Sequence, residues 1–242
     1  MKFQIEVEKQ WLLAIADSGI APSIKAEELE EAFHGVSFAE IEEIEAKTQH
    51  ATRALVEVLA NRLKNVGRED LSHWVHVGLT SFDTVDTAQR LKLKNYLEID
   101  FFPLISRFKK ILVEKAKKYK NTRQVGRTHG QWAVPTIFGL SFAEGYERIS
   151  RLSQRLRGSL SELSGQSSGA IGGYHASALL VEDPLKLEEN FLKRLDLKAH
   201  YASLQTLPPE DFVACAQDVY AMASVAAKSV SYTHLRAHET VV

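Results

Sequence analysis

Cysteine, proline and glycine are scarce in this sequence of 242 residues, and neither sign of charge is in excess. The single cysteine, Cys215, excludes an intrachain disulfide framework and is compatible with a reducing compartment. Six prolines and 13 glycines leave long segments without a helix breaker. The formal net charge of −1 creates no strong basic field for nucleic acid or an anionic membrane, so any anion binding must be local.

Long hydrophobic runs are also missing. The first residues, MKFQIEVEKQWLLAIADSG, carry charges too often for the core of a signal peptide, and no segment approaches the length of a transmembrane helix. Hydrophobic residues make up 45% of the chain and charged residues 25%, which is ordinary for a globular protein with a sizeable core. We therefore expect a cytoplasmic protein that binds neither nucleic acid nor membrane.

Apolar residues at helical spacing are the main pattern in the sequence. One apolar stripe with i+3/i+4 spacing continues for about six turns and consists of Phe142, Tyr146, Ile149, Leu152, Leu156, Leu160 and Leu163. A second pattern runs from near Asp83 to roughly Tyr119, and Pro103 should kink or interrupt it. A third helix is predicted from about Phe38 to Lys64, beginning at the capping box Ser37-x-x-Glu40.

The fourth predicted helix, from Pro209 to about Lys228, is apolar nearly all round. Such a helix must be buried on all sides, either inside a bundle or between subunits. Because no strand-length alternation is evident, the fold class is predicted to be all-α. A boundary near residues 77–82 should separate a small helical N-terminal domain, 1–77, from a domain of long bundle helices, 78–229.

The last residues, 230–242, break the apolar rhythm and are predicted to be a non-native tail. His234 and His238 have the i, i+4 spacing of metal ligands on a helix, but no third ligand is near them in the sequence. We expect no metal and no cofactor.

Three polar turns carry residues that bind anions or move protons. The first, HVGLTSFDTVDTA at 76–88, places Thr80, Ser81 and Asp83 where a long helix begins. Hydroxyls and unpaired N–H groups at a helix N-terminus can hold a carboxylate or phosphate, although an ordinary helix cap has the same composition.

The second turn, QVGRTHGQWAVPTIFG at 124–139, brings together Arg127, Thr128 and His129. An imidazole titrates close enough to neutrality to transfer a proton in either direction, but a lone histidine in a turn is often structural. The third turn, Gly165–Tyr174, has glycines that permit close backbone approach to a ligand or simply turn the chain. His50, predicted inside the third helix, is by itself an ordinary surface or partly buried side chain.

Together, the order and the residue patterns of these turns resemble the fumarase/aspartase superfamily of lyases over roughly residues 3–229. The carrying motifs are H-x-G-L-T-S-x-D-x-x-D-T-A, G-R-T-H-G-Q-x-x-x-P-T-x-F-G and S-G-A-I-G. The T-S-x-D and T-H-G-Q motifs are most similar to those of the adenylosuccinate lyase family. The resemblance implies a homotetramer with a central helical bundle and active sites shared between subunits. It also implies a polyanionic small-molecule substrate, which loses fumarate by β-elimination.

The resemblance also implies roles for individual residues. His129 corresponds to the general acid that protonates the leaving nitrogen, and Thr128 contacts substrate. His50 supports His129 or binds substrate. The other implied substrate-binding residues are His76, Thr80, Ser81, Asp83, Ser168, Gly169 and Gln205.

The sequence departs from the family pattern at Ala51, Trp132, Val134 and in the segment Pro208–Asp211. The family's N-terminal Arg-Tyr segment and the serine loop that carries the general base are not found in this chain, which resembles an internal fragment. We therefore expect little lyase activity from the chain alone. Two other hypotheses for the function remain. One is a carboxymuconate-type cycloisomerase of the same superfamily, and the other is a helical assembly module without catalysis.

Overall fold

The computed structural model describes residues 1–200 and 202–237, and most of them lie in helices. The helices are α1 (Lys2–Asp17), α2 (Ala26–Phe33), α3 (Phe38–Thr48), α4 (Ala51–Asn65), α5 (Glu69–Ser72), α6 (Ser81–Tyr96), α7 (Phe102–Lys118), α8 (Gly139–Ser161), α9 (Pro184–Arg194) and α10 (Glu210–Ala237). The short strands are β1 (Arg123–Thr128), β2 (Gln131–Ile137), β3 (Ser164–Gly165) and β4 (Lys198–Ala199). The all-α class is confirmed, with one hairpin that the sequence analysis missed.

Two predicted helices are interrupted. The predicted helix from Phe38 to Lys64 is wrong as a single element, because Gln49 adopts a left-handed conformation (φ 52°) and His50 caps a new helix, α4. The capping box at Ser37 and Glu40 is present at the start of α3. The helix predicted from Asp83 to Tyr119 is divided by a π-helical turn, Leu97–Phe101, which ends two residues before Pro103, as the proline suggested.

The chain divides into two units, and the boundary first falls inside α6. The first unit, Met1–Leu93 with Glu162–Pro209, buries the apolar faces of α1, α4 and α9. Trp11 meets Phe191 edge to face, with ring centroids 5.3 Å apart, and its indole N–H donates to the Val77 carbonyl at 2.8 Å. The core of this unit therefore directly anchors the segment that precedes α6.

The second unit contains α7, α8, α10 and the β1–β2 hairpin. α8 packs against both α7 and α10. The buried carboxylate of Asp218 on α10 pairs with Arg155 and accepts a hydrogen bond from the Ser159 hydroxyl at 2.8 Å. An aromatic cluster of Tyr119, Phe138 and Phe142 fastens the base of the hairpin.

α10 differs from its prediction in two respects. Its backbone continues to Ala237, beyond the predicted end at Lys228. It is also not buried on all sides within the chain: Cys215, Asp218, Met222 and Val225 are buried, whereas Val213 is 42% and Tyr220 75% exposed. The alternative of burial between subunits stays a prediction, as do the domain bounds 1–77 and 78–229 and the non-native tail. His238 lies outside the described residues.

Candidate functional site

The candidate site in the first unit is built around the N-terminus of α6. Asp83, in the first turn, accepts hydrogen bonds at Oδ2 from the backbone N–H of Thr80 (2.8 Å) and of Gly169 (3.1 Å). One carboxylate therefore ties the first and third polar turns of the sequence together. The role of Asp83 in substrate binding, which the family resemblance implied, stays a prediction.

Asp83 is completely buried, and its Oδ1 has no hydrogen-bond partner among the described residues. Burial raises the pKa of Asp83 to about 6, although the N–H groups of Thr80 and Gly169 and the neighbouring His76 act in the opposite direction. A carboxyl group with such a pKa exchanges its proton near neutrality, which is a property common at functional sites.

His76 lies in the turn before α6 with a left-handed backbone (φ 65°), and Gly78 follows with φ 85°. A left-handed non-glycine residue is uncommon and marks a locally constrained turn. His76 Nδ1 lies 2.7 Å from Glu8 Oε1. Burial alone would lower the pKa of His76, but the charge of Glu8, its hydrogen bond and the charge of Asp83 together raise that pKa above its ordinary value.

Glu8 is a site residue that the sequence analysis missed. It is fully buried on α1, and its Oε1 also accepts a hydrogen bond from the Thr84 hydroxyl at 2.6 Å. Glu8, Leu12 and Ile15 follow helical spacing on the buried side of α1. An acidic residue in an apolar stripe was therefore the signal that could have identified it, because a buried carboxylate needs partners.

His50 and Ser81 approach each other at the same end of α6. His50 caps α4 by accepting a hydrogen bond from the Arg53 N–H at Nδ1 (3.2 Å). A neutral imidazole that accepts at Nδ1 carries its proton at Nε2. His50 Nε2 lies 3.3 Å from the Ser81 hydroxyl oxygen, so we assign the histidine as donor in this contact.

The loop 165–174 is held at several points inside the first unit. Buried Glu188 accepts hydrogen bonds from the Ser167 N–H and the Tyr174 hydroxyl, both at 2.6 Å. The hydroxyls of Ser168 and Ser203 lie 3.0 Å apart. A Cβ on Gly172 would overlap the Ser203 carbonyl, so the glycine there serves close packing of two backbone segments.

Gln205 enters this arrangement through its backbone. Its carbonyl accepts a hydrogen bond from Gln166 Nε2 at 2.8 Å, while its own side chain is exposed. Further along α6, Asp86 accepts from the Leu207 N–H at 2.8 Å and Arg90 donates to the Pro208 carbonyl at 2.9 Å. The polar buried face of α6 thus holds Leu207 and Pro208, where the segment that departs from the family pattern begins.

Thr128 and His129 lie in the second unit, at the tip of the β1–β2 hairpin. The simple turn predicted there is wrong, because the strands pair from Arg123 with Ile137 to Thr128 with Gln131. His129 (φ 54°) and Gly130 (φ 74°) form the two-residue connection, which matches the left-handed pair favoured by tight hairpins. The side chains of Thr128 and His129 are exposed.

The structure therefore gathers His50, His76, Thr80, Ser81, Asp83, Ser168, Gly169 and the backbone of Gln205 in one unit. Catalytic and binding roles for these residues, and for Thr128 and His129, stay predictions. Among the described side chains, those of residues 1–200 and 202–228, no group of three or more His, Cys, Asp or Glu is arranged to hold a metal ion. None of the described helices is long and apolar enough to cross a membrane.

The sequence profile of a family described as "Lyase" matches residues 4–235, which include the polar site at α6. The chain belongs to this family. Among individual relatives, it is 33% identical to the adenylosuccinate lyase of Archaeoglobus fulgidus over 88% of this chain. It is 37% identical to that of Bacillus subtilis over 84% of this chain.

The chain spans less than half the length of these curated relatives, 46% and 44% respectively. Two solved structures share the fold. They are a fumarate lyase from Mesorhizobium sp. BNC1 (TM-score 0.82, 22% identity, 97% of this chain and 54% of that one) and the β-carboxy-cis,cis-muconate cycloisomerase of Acinetobacter calcoaceticus (0.83, 23%, 96% and 54%).

Proposed function

We propose that this chain supplies part of the active site of a cytoplasmic C–N lyase that releases fumarate from adenylosuccinate and acts in purine biosynthesis. The related succinyl-imidazole purine precursor is a second proposed substrate. The adenylosuccinate lyases matched at 33% and 37% identity support this substrate over others of the superfamily.

The proposed reaction is a β-elimination. A base takes the proton from the carbon beside a carboxylate, the electron pair forms the new C=C bond, and the C–N bond breaks. His129 gives its proton to the leaving nitrogen, so the products are fumarate and AMP. The general base is not assigned to any residue of this chain.

The first unit supplies the groups that bind the anionic parts of the substrate in this proposal. The observation that carries it is the convergence of His76, Ser81 and the loop tied by Asp83 on the first turn of α6. Backbone N–H groups and the helix dipole favour anions there. Preorganised donors also stabilise the charge that develops on a carboxylate after proton removal.

Binding tests this proposal more directly than turnover, because no base is assigned. The purified chain is titrated calorimetrically with AMP in the presence of fumarate, and saturable binding is expected. His76→Gln should weaken the affinity by about tenfold or more, since a charge-assisted hydrogen bond is lost. His73→Gln is the matched control, because His73 is an exposed histidine in the same segment. Saturable binding that His76→Gln leaves unchanged would contradict the assignment.

A substrate panel separates the two enzyme readings. Release of fumarate from adenylosuccinate by the chain, or by an assembly containing it, supports the proposal, whereas conversion of a carboxymuconate supports the cycloisomerase. Absence of saturable binding to either ligand would favour the assembly module.

We also propose that the chain assembles as a homotetramer with active sites shared between subunits. The exposed apolar side chains of Val213 and Tyr220 on α10 support an interface on that helix. Light scattering coupled to size exclusion measures the mass directly. A monomeric mass at micromolar concentration would contradict the assembly.

A further inference from the structure

The Glu8 carboxylate lies completely buried in α1, a position where an unpaired charge would be costly. Both of its recorded hydrogen bonds are made by one oxygen, Oε1, with His76 Nδ1 at 2.7 Å and with the Thr84 hydroxyl at 2.6 Å. Oε2 is buried and has no partner among the described residues. Both hydrogen bonds of Glu8 are therefore made where the turn before α6 meets α6 itself.

We infer that Glu8 is a positioning residue: it fixes the His76 ring through Nδ1 and favours the protonated form of that ring, so that Nε2–H is left to donate to an anionic ligand. This inference rests on the proposed function only in the identity of the ligand as an anion. The effect of Glu8 on the ring itself does not depend on it.

The geometry supports each part of the inference. His76 is 18% exposed at its side chain, so the ring is mostly buried yet reaches solvent. With Nδ1 directed at Glu8, Nε2 is the remaining nitrogen, and no described residue is recorded as its partner. A histidine donating to a carboxylate has its tautomer and orientation fixed by that contact.

The charged groups around His76 give a second reason for the inference about Glu8. The charged groups that act on His76 are Glu8 on α1 and Asp83 on α6, and both carry negative charge when ionised. A site with two carboxylates repels an anion unless a nearby cation offsets them. The Glu8 carboxylate raises the pKa of His76 against the effect of burial, and so favours that cation.

Thr84 completes the contact. Its hydroxyl donates to the same Oε1 and lies 3.5 Å from His76 Nδ1. The hydroxyl restrains the carboxylate from the α6 side while the imidazole restrains it from the preceding turn. The carboxylate is therefore held between two elements of the candidate site.

The test compares Glu8→Gln with Glu6→Gln. Both changes remove one carboxylate from α1, but Glu6 pairs with Lys9 and Gln10 instead of His76. The pKa of His76 is followed by NMR titration of its ring signals, assigned by their loss in His76→Gln. Inorganic sulfate, whose charge is constant from pH 5 to 8, is the anion probe, and AMP is tested beside it.

Glu8→Gln should lower the pKa of His76 by about one unit or more, because an adjacent opposite charge is lost while burial remains. Sulfate affinity at pH 7.5 should fall by about tenfold. It should recover towards the wild-type value as the pH falls and His76 regains its proton, a recovery that mere structural damage would not produce. Glu6→Gln should change neither quantity.

Two results overturn the inference. One is an unchanged pKa of His76 in folded Glu8→Gln. The other is a pKa of His76 at or below 6.5 in the wild-type chain, which is decisive even if Glu8→Gln does not fold. A lowered pKa without sulfate or AMP binding in any variant has a different meaning: it overturns the anion site and the proposed function, while the control of His76 by Glu8 stands.

Discussion

The loop 165–174 of the first unit and the hairpin tip of the second unit carry comparable residues in opposite surroundings. Both contain glycine in a left-handed conformation within four positions of a predicted site residue, Gly172 (φ 74°) and Gly130 (φ 74°). A Cβ on Gly172 would overlap the Ser203 carbonyl, whereas a Cβ on Gly130 would meet no atom within 4 Å. The loop is thus closely packed against its neighbours at Gly172, while the tip has open space at Gly130.

This difference separates two ways of holding a functional group. In the loop, the buried carboxylates of Asp83 and Glu188 accept backbone hydrogen bonds from Gly169 and Ser167. A change there disturbs several contacts at once. At the tip, His129 is exposed and follows the last paired residue of β1, Thr128. Substitutions at the tip should therefore affect stability less than substitutions in the loop.

The largest expected effect comes from adding the same methyl group at both glycines. Gly172→Ala should lower the free energy of unfolding by about 3–5 kcal/mol, because left-handed strain adds to an overlap with backbone. Gly130→Ala is the matched control and should cost only about 1 kcal/mol, from strain alone. Urea unfolding of both variants measures the difference. Equal losses would remove the distinction between the two regions.

The buried carboxylate of Asp83 gives the next effect, which depends on pH. Its pKa is about 6 in the folded chain against an ordinary value of 3.8, so the folded state binds this proton more tightly. The stability contributed by Asp83 is therefore greatest below pH 3.8 and is lost as the pH rises through about 6. Each pKa unit corresponds to roughly 1.4 kcal/mol, which gives a change of about 2–3 kcal/mol.

Asp83→Asn isolates this contribution, because asparagine retains an acceptor oxygen and does not ionise in this range. The free energy of unfolding of the wild type minus that of the variant should fall between pH 4 and pH 6.5. Urea titrations at half-unit steps measure it. His76, whose pKa is also raised, adds a loss of the same sign at higher pH in both proteins. A difference that is constant or rises with pH would mean that Asp83 is not a destabilised buried carboxylate.

The sequence was informative where spacing and local chemistry decide the structure. The apolar stripe from Phe142 predicted α8, the Ser37 capping box predicted the start of α3, and Pro103 marked the π-helical turn. The polar turn at 76–88 predicted that Thr80, Ser81 and Asp83 lie where a long helix begins, and they lie at the start of α6. In each case the determining residues lie within a few positions of one another, which is the range that a pattern can register.

The features that were predicted wrongly or missed are ones that a local sequence pattern does not determine. The break at Gln49 depends on one left-handed residue and a histidine cap, and the TQHAT wording does not exclude a continuous helix. The hairpin was missed because Val125, Trp132 and Val134 are exposed and show no half-buried alternation. Glu8 was missed because its partners, His76 and Thr84, are far along the chain. Contacts of that kind are visible only in three dimensions.

The third effect tests whether backbone strain alone shapes the hairpin tip. His129→Val should cost about 1–2 kcal/mol, since a β-branched side chain resists the left-handed conformation at φ 54°. His129→Asn should leave stability within about 0.5 kcal/mol, because asparagine adopts this conformation readily and the position is exposed. Thermal unfolding of both variants provides the comparison. A large loss in His129→Asn would show that the imidazole makes a stabilising contact.

The smallest effect is expected at Trp132 on β2, whose side chain is 75% exposed in the single chain. Trp132→Thr should change the free energy of unfolding by less than about 0.5 kcal/mol at low protein concentration, because little apolar area is removed from a core. Threonine retains strand propensity, so the hairpin should persist. Repeating the measurement over a hundredfold range of concentration extends the test to assembly. A loss that grows with concentration would place Trp132 in an interface between copies, and the hairpin tip would then be held by neighbours just as the loop 165–174 is.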